Sequence, residues 1–295
     1  MTAVARIASY ADEPGLLARV RALLGPIFPG LPEAMDLAAP LGVPWQRCST
    51  PFVRERDGRL LAHVGVIEMR FVLAGEERSV GILHAVGTDA AERRRGHYRA
   101  ILDVLLPWCA ERWETLVLNT GRPELYEPFG FWHVPEHRFV VECSETAARP
   151  RTAERFRRID YADPADRARL RSLLDERAPV SRRLGVVAES AAFAFNECLR
   201  PPLLSDELDA IVCLEREGAT LRVHDVVARR MPSLDDLLAR VDGPVRRVEL
   251  YFAPDEIEPD ARPEPHVLHG DEHLMVRGPF APEGEPLMLA RPARC

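Results

Sequence analysis

Residues 78–100 read RSVGILHAVGTDAAERRRGHYRA. Val80, Ile82, His84, Val86 and Thr88 recur at every second position, the period of a β-strand. Gly87, near the strand's end, marks a bulge or a close backbone approach. A short polar turn, Asp89 to Glu92, leads to Arg93, Arg94, Arg95, Gly96, His97 and Tyr98. An apolar run at helical spacing follows: Ile101, Leu102, Leu105 and Leu106. A strand that passes through an arginine-glycine turn into a helix aims unpaired backbone N–H groups and the positive end of a helix dipole at one point. That point is an anion site, and guanidinium groups beside it suit a diphosphate. A plain solvated helix start explains the arginines poorly, because cations at a helix N-terminus oppose its dipole.

Working outward, Phe52–Arg56, Arg59–Glu68 and Arg70–Leu73 read as consecutive antiparallel strands. Asp57-Gly58 is a hairpin signal between the first two, and Gly75 makes the turn before the central strand. Ala3–Tyr10 is a short first strand. A helix follows Asp12 and Pro14 through Leu16, Leu17, Val20, Leu23 and Leu24, ended by Gly25 as a left-handed cap and by Pro26. Pro32–Ala39 reads as a second short helix and Pro40–Gln46 as a loop. Beyond the helix Arg95–Trp113 come a strand, Thr115–Asn119, a brief helix, Arg122–Tyr126, and a last strand, Glu136–Glu142.

Val86 and Thr88, followed by Arg93-x-x-Gly96-x-Tyr98, resemble the diphosphate signature of the GNAT acyl-CoA N-acyltransferases: Gln or Arg, two residues, Gly, one residue, then Gly or Ala. Tyr98 departs from the small residue usual there. Leu125-Tyr126-Glu127-x-Phe129-Gly130-Phe131 resembles that family's second signature, a tyrosine a few residues before Gly-Phe. The resemblance implies an α/β (α+β) GNAT-like fold with a mixed, mostly antiparallel central sheet flanked by helices. It implies acetyl-CoA as cosubstrate. Ala85, Val86, Gly87 and Thr88 would meet the thioester and pantetheine arm, and Arg93, Arg94, Arg95, Gly96, His97, Tyr98 and Arg99 the diphosphate. Asn119 would bond the pantetheine amides or orient the acceptor, with a strand-capping role as its competitor. Tyr126 would protonate the leaving thiolate; a phenol near pKa ~10 suits a thiolate near ~8.5. Trp45 is a candidate wall of the acceptor pocket, or a packing tryptophan.

The chain has 295 residues, enough for two domains. The expected division is 1–145, the acetyltransferase domain, and 156–295, with a charged linker containing Pro150 between them. In the second half Asp209–Arg216 and Thr220–Ala228 form a hairpin around Glu217-Gly218. Pro232 and Ser233 then open a helix with Asp235 and Asp236 in its first turn, and Arg246–Phe252 is a strand. This order echoes residues 78–120, so the fold is read as two tandem copies with a degenerate second. Two aspartates at its helix start would repel a diphosphate, leaving that copy to pack on the first and shape the acceptor pocket. Tandem GNAT proteins resembling the mycobacterial aminoglycoside-acetylating family share this plan, with a third domain absent here.

A net charge of −7 argues against a general nucleic-acid binder. No apolar run approaches ~20 residues, so no membrane span is expected. Six scattered cysteines without a C-x-x-C pair point to a reduced, cytoplasmic setting. His266, His269, Glu272 and His273 invite a metal reading, but their spacing fits no helical ligand pair and no metal is expected. The expected reaction is direct transfer of an acetyl group to a primary amine of a small molecule, in a ternary complex. His84 is the first candidate base, since a free imidazole titrates near neutrality; a buried neutral histidine, water, or the Cys295 carboxylate drawn inward by Leu287-Met288-Leu289 are the alternatives. A non-catalytic acyl-CoA sensor or scaffold is the competing class. Monomer and homo-oligomer both stay open.

Overall fold

The computed structural model describes residues 3–143, 152–281 and 284–294. Its strands, in chain order, are β1 (Val4–Ile7), β2 (Thr50–Arg56), β3 (Arg59–Leu73), β4 (Glu76–Thr88), β5 (Leu116–Thr120), β6 (Trp132–Val134), β7 (His137–Glu142), β8 (Arg157–Arg158), β9 (Leu184–Val187), β10 (Leu203–Ser205), β11 (Ala210–Glu217), β12 (Thr220–Ala228), β13 (Arg247–Leu250), β14 (Arg262–Pro265) and β15 (His273–Arg277). The helices are α1 (Leu16–Leu24), α2 (Leu31–Ala38), α3 (Trp45–Cys48), α4 (His97–Ala110), α5 (Pro164–Asp175), α6 (Ala191–Glu197) and α7 (Leu234–Leu238). No helix among the described residues is long and apolar enough to cross a membrane.

The strands form two mostly antiparallel sheets. The first has the order β1-β2-β3-β4-β5-β15-β6, with β9 on the far half of β3; the second has the order β14-β7-β13-β12-β11-β10-β8. Both predicted hairpins of the first sheet use two consecutive left-handed residues, Asp57-Gly58 (φ 52° and 77°) and Ala74-Gly75 (φ 49° and 86°). That turn matches the natural twist of paired strands. The expected strands Arg59–Glu68 and Arg70–Leu73 are one continuous β3, paired with β4 along nearly its whole length. Nothing between them carries turn chemistry, and β9 covers Arg70–Leu73 from the other side. Gly25 does close α1, but with φ −54° rather than in a left-handed cap; its N–H simply continues the helix ladder to the Arg21 carbonyl (2.9 Å).

The sheets do not follow the division expected at residues 145–156. Strand β7, expected to finish the first domain, pairs with β13 and β14 in the second sheet. Pro135 has no N–H with which to prolong the ladder of β6, and the chain changes sheets there. In return β9 and β15 join the first sheet, β15 wedged between β5 and β6. The segment Leu287–Arg294 then runs buried between the two layers. Leu287, Leu289 and Ala293 pack into the first sheet's core, and Ala290 into the second's. Each buried leucine or methionine of this strap contributes roughly 1.5–3 kcal/mol.

The strand–helix–parallel strand unit occurs twice. Strands β4 and β5 pair in parallel at Gly81–Leu116 and Ile82–Val117 only, and α4 crosses between them. In the second sheet β12 and β13 pair in parallel from Thr220–Arg247 to Val223–Leu250, with α7 crossing. Ser233 opens α7, as the sequence predicts, and does so in a reciprocal box with Asp236. Both central strands carry a bulge, at Ala85–Val86 on β4 and at His224 on β12.

Candidate active site

On β4, His84 pairs with Gly65 and Gly87 with His63, so Ala85 and Val86 together face the single Val64. The extra residue turns Ala85 into the left-handed region, φ 47°. A non-glycine residue there costs about 1–2 kcal/mol and persists only where neighbours hold it. The holder is His63, fully buried, whose Nδ1–H donates to the Ala85 carbonyl (2.9 Å). A carbonyl can only accept, so the proton must be on Nδ1; burial pushes this imidazole down to about 4 and keeps it neutral. His84, next to the bulge, lies with Nε2 2.8 Å from Ser49 Oγ and its ring 4.9 Å from that of Trp45. The place it fills exists because residue 65 has no side chain: a Cβ there would stand 2.3 Å from His84 Nε2.

The bulge deflects β4, and past Ile82–Val117 the two parallel strands separate. A cavity of about 460 Å³ opens between them. One wall is Leu83–Val86 of β4; the other is Asn119, Thr120 and Gly121 at the end of β5, with Tyr126. Both polar atoms of the Asn119 amide are shielded from water and have no hydrogen-bond partner. An orphaned amide facing a cavity calls for a ligand that offers both a donor and an acceptor. Tyr126 is buried and its phenol is raised to about 12 by that burial, partly offset by the hydroxyls of Thr120 and Tyr98.

The arginine turn lies beside the cavity mouth. Arg94 (φ 64°) and Gly96 (φ 77°) are both left-handed, so the backbone coils back on itself ahead of α4. The first-turn N–H groups of His97, Tyr98 and Arg99 find no acceptor among the described residues. Alternating conformations of this kind form an anion-binding nest. Arg93 and Arg94 are exposed, and no described carboxylate pairs with either. Glu92 holds the turn from beneath: it is buried and meets His97 Nε2 (3.1 Å), Arg56 (2.8 Å) and Arg95 (3.2 Å). His97 foremost, then Arg56, keeps its carboxyl below the usual range.

Most of the residues expected from sequence converge here. Tyr98, the departure from a small residue, sends its ring away from the nest onto Tyr126 (5.6 Å) and Phe129 (5.7 Å). Thr88 closes the strand opposite Ala62, and Arg99 lies over Phe129 at 5.3 Å. Three assignments change. Gly87 does not hold the bulge or face the cavity; a Cβ there would meet Leu24 and Ile27 at 2.9 Å, so it is a seat for the end of α1. The His97 side chain serves Glu92, leaving only its backbone for an anion. His84 lines the cavity, but burial, and then His63, push it down to about 3, far from a base poised at neutrality. Trp45 stands behind His84, edge-on to Phe195, with Nε1–H donating to the Tyr10 hydroxyl (2.9 Å). The Cys295 carboxylate lies outside the described residues.

Sequence reasoning gave the far wall to the second half but named none of its residues for that role. Phe28 of the first half and Asn196, Arg200, His269, Glu272, Arg291 and Arg294 of the second complete the cavity. The burial of Leu287-Met288-Leu289 carries the chain inward as far as Arg294. Asn196 Nδ2–H pins that segment through the carbonyls of Pro292 (3.1 Å) and Arg294 (2.6 Å). Among the described residues no group of three His, Cys, Asp or Glu side chains is placed to hold a metal.

Residues 45–134 match the family model described as the acetyltransferase (GNAT) domain, so this chain carries a GNAT domain there. The fold likeness runs through both sheets. Eis1 from Mycobacterium abscessus shares 16% identity and superposes with a TM-score of 0.61 over 94% of this chain and 73% of its own. A GCN5-related N-acetyltransferase from Kribbella flavida gives 17%, 0.59, 94% and 71%. A protein from Enterococcus faecalis V583, described as a probable N-acyltransferase, gives 13%, 0.61, 94% and 72%. No curated protein matches the chain by sequence.

Proposed function

We propose that this protein is an N-acetyltransferase that moves an acetyl group from acetyl-CoA directly to an amine held in the same cavity. The observation that carries the reading is the adjacency of two devices. The nest at Arg93–Arg99 suits a diphosphate, and through the Tyr98–Tyr126 contact it adjoins a cavity that ends at the β4 bulge. A pantetheine arm laid between β4 and β5 offers amide donors and acceptors to the orphaned Asn119 side chain. Backbone freed from the ladder at Ala85–Val86 would polarise the thioester carbonyl as charge develops.

Holding amine and thioester together supplies most of the acceleration, and little covalent chemistry is asked of the protein. Tyr126 stays protonated across the physiological range and donates to the leaving sulfur. Since His84 is a weak base, the proton acceptors on the cavity wall are Glu272 and His269. The second half supplies the cavity's far wall, through α6, the loop before β15 and the buried strap, rather than binding a nucleotide. Calorimetric titration with acetyl-CoA, followed by an amine panel read by thiol release, tests the reading. Binding without turnover of any amine would favour the sensor alternative, and no binding would remove both.

A further inference from the structure

The acceptor wall carries more cationic than anionic groups. Arg200, Arg291 and Arg294 line the cavity there, against one carboxylate, Glu272. The three arginines are not equally engaged. Arg291 is saturated: Glu197 takes Nε and Nη2 at 3.0 Å each, and Glu215 takes Nη1. Arg294 is 4% exposed; its Nη2–H donates to Glu136 (2.6 Å) and the Leu289 carbonyl (2.9 Å). Its Nη1, equally buried, has no hydrogen-bond partner, and Glu272 Oε1 stays at 3.6 Å. Arg200, just beyond α6, is exposed at the cavity edge, with no described carboxylate in ion-pair range.

A guanidinium N–H shielded from water without an acceptor is costly, and such groups select ligands that supply the acceptor. Arginine's planar fork suits a carboxylate in particular. Resting on the acetyltransferase reading above, we propose that the acceptor is a small amine that also carries a carboxylate, an amino acid or short peptide. Its carboxylate is taken by Arg294 and Arg200, and its ammonium faces Glu272 on the way to the thioester. A polycationic acceptor, such as a polyamine or an aminoglycoside, meets two guanidinium groups on this wall and is disfavoured.

The test uses the full chain and matched pairs that differ only in the carboxylate: tyrosine with tyramine, histidine with histamine, lysine with cadaverine. Spermidine is added as a polycation. Thiol release from acetyl-CoA is the readout, with calorimetric binding of acetyl-CoA measured in parallel. The acids are expected to exceed their decarboxylated partners by ~10–100-fold in kcat/KM, the usual worth of a charge-assisted pair. Arg200→Gln should raise KM for the acids about tenfold and so narrow their advantage over the matched amines. Arg294→Gln should do the same where it folds; Arg200→Gln, at an exposed position, decides the matter if it does not. Turnover of the amines or spermidine equal to that of the acids overturns the proposal. So does a preference for acids that survives Arg200→Gln undiminished, or binding of acetyl-CoA without turnover of any acid. Failure to bind acetyl-CoA would instead sink the acetyltransferase reading and this inference with it.

Discussion

Replacing Tyr126 by phenylalanine removes one hydroxyl and leaves a ring that still contacts Tyr98 (5.6 Å) and Phe131 (6.0 Å). The expected rate loss follows from the phenol's pKa. At about 12 it lies ~3.5 units above a free thiol near ~8.5, so full proton transfer to a solvated thiolate would be uphill by about 5 kcal/mol. Tyr126 thus acts by donating a hydrogen bond to the sulfur as charge builds, worth about 1.5–3 kcal/mol, and not by completing the transfer to a solvated thiolate. Tyr126→Phe should therefore lower kcat ~10–150-fold, while the Kd for acetyl-CoA changes less than about threefold. Single-turnover thiol release gives the first quantity and calorimetry the second; a urea midpoint within about 1 kcal/mol of wild type shows that the loss is not unfolding. Because the phenol stays protonated below 12, the wild-type profile should show no falling limb between pH 7 and 10. A kcat drop under about threefold, or a falling limb near pH 8.5 that disappears in the variant, would refute the assignment.

Arg93→Ala and Arg94→Ala should each weaken acetyl-CoA about 5–10-fold by calorimetry, with kcat within twofold, because they hold the diphosphate and not the reacting atoms. The same loss should shrink at higher salt. Gly65→Ala forces a Cβ within 2.3 Å of His84 Nε2 and 2.7 Å of Ser49 Oγ, so it should cost about 1–3 kcal/mol in urea unfolding; an unchanged midpoint would mean that His84 is free to move. His84 titrates at about 3 when folded and near 6.5 when unfolded. As pH falls below 6.5 the unfolded chain gains a proton that the folded one refuses, so stability declines by up to about 1.4 kcal/mol per pH unit, and nothing is lost above 6.5. His84→Gln should make the slope of stability against pH shallower by about one proton between pH 4.5 and 6, measured by urea midpoints; parallel slopes would place His84 in contact with solvent. Arg177→Met alone should cost about 3–5 kcal/mol by stranding the buried Asp225 carboxylate, whereas Arg177→Met with Asp225→Leu should recover most of it.

What the sequence disclosed was local. The alternation of Val80 to Thr88, the turns at Asp57-Gly58 and Gly75, and the helix start at Ser233 all act within a few residues, and all stand in the fold. The arginine turn was legible for the same reason: its nest is built from consecutive residues. Of the two readings Gly87 allows, the close approach holds, against Leu24 and Ile27, while the bulge sits at Ala85, held by His63, 22 residues away on β3. For His84 the sequence leaves two readings open, a base and a buried neutral imidazole, and the structure supports the second; burial, which no spacing displays, decides between them. The exchange of β7 for β15 was invisible, since β6 and β7 are continuous in sequence and only pairing across the molecule separates them. The acceptor wall was invisible too: Arg200, Glu272 and Arg294 share no motif and meet only because the strap after Pro286 is buried.

The second sheet shows why one cavity, and not two, forms from so similar a plan. Like β4, β12 parts from its parallel neighbour and carries a bulge just past the last pair, Val223–Leu250. In the first sheet the space beyond the bulge is left to Asn119 and Tyr126 at its margin. In the second, Asp225 follows the bulge directly, and Arg177 meets it with two hydrogen bonds of 2.7 and 2.9 Å and a third to the Val226 carbonyl, both side chains about 1% exposed. A bidentate pair so shielded leaves no room beside it for a pantetheine arm. The second half lends its outer residues to the first: α6 and the strap bring Asn196, Arg291 and Arg294 to the cavity, and β15 completes the edge of β5. Neither half encloses the site alone, so the exchange of strands between the sheets and the closure of the cavity are one structural requirement.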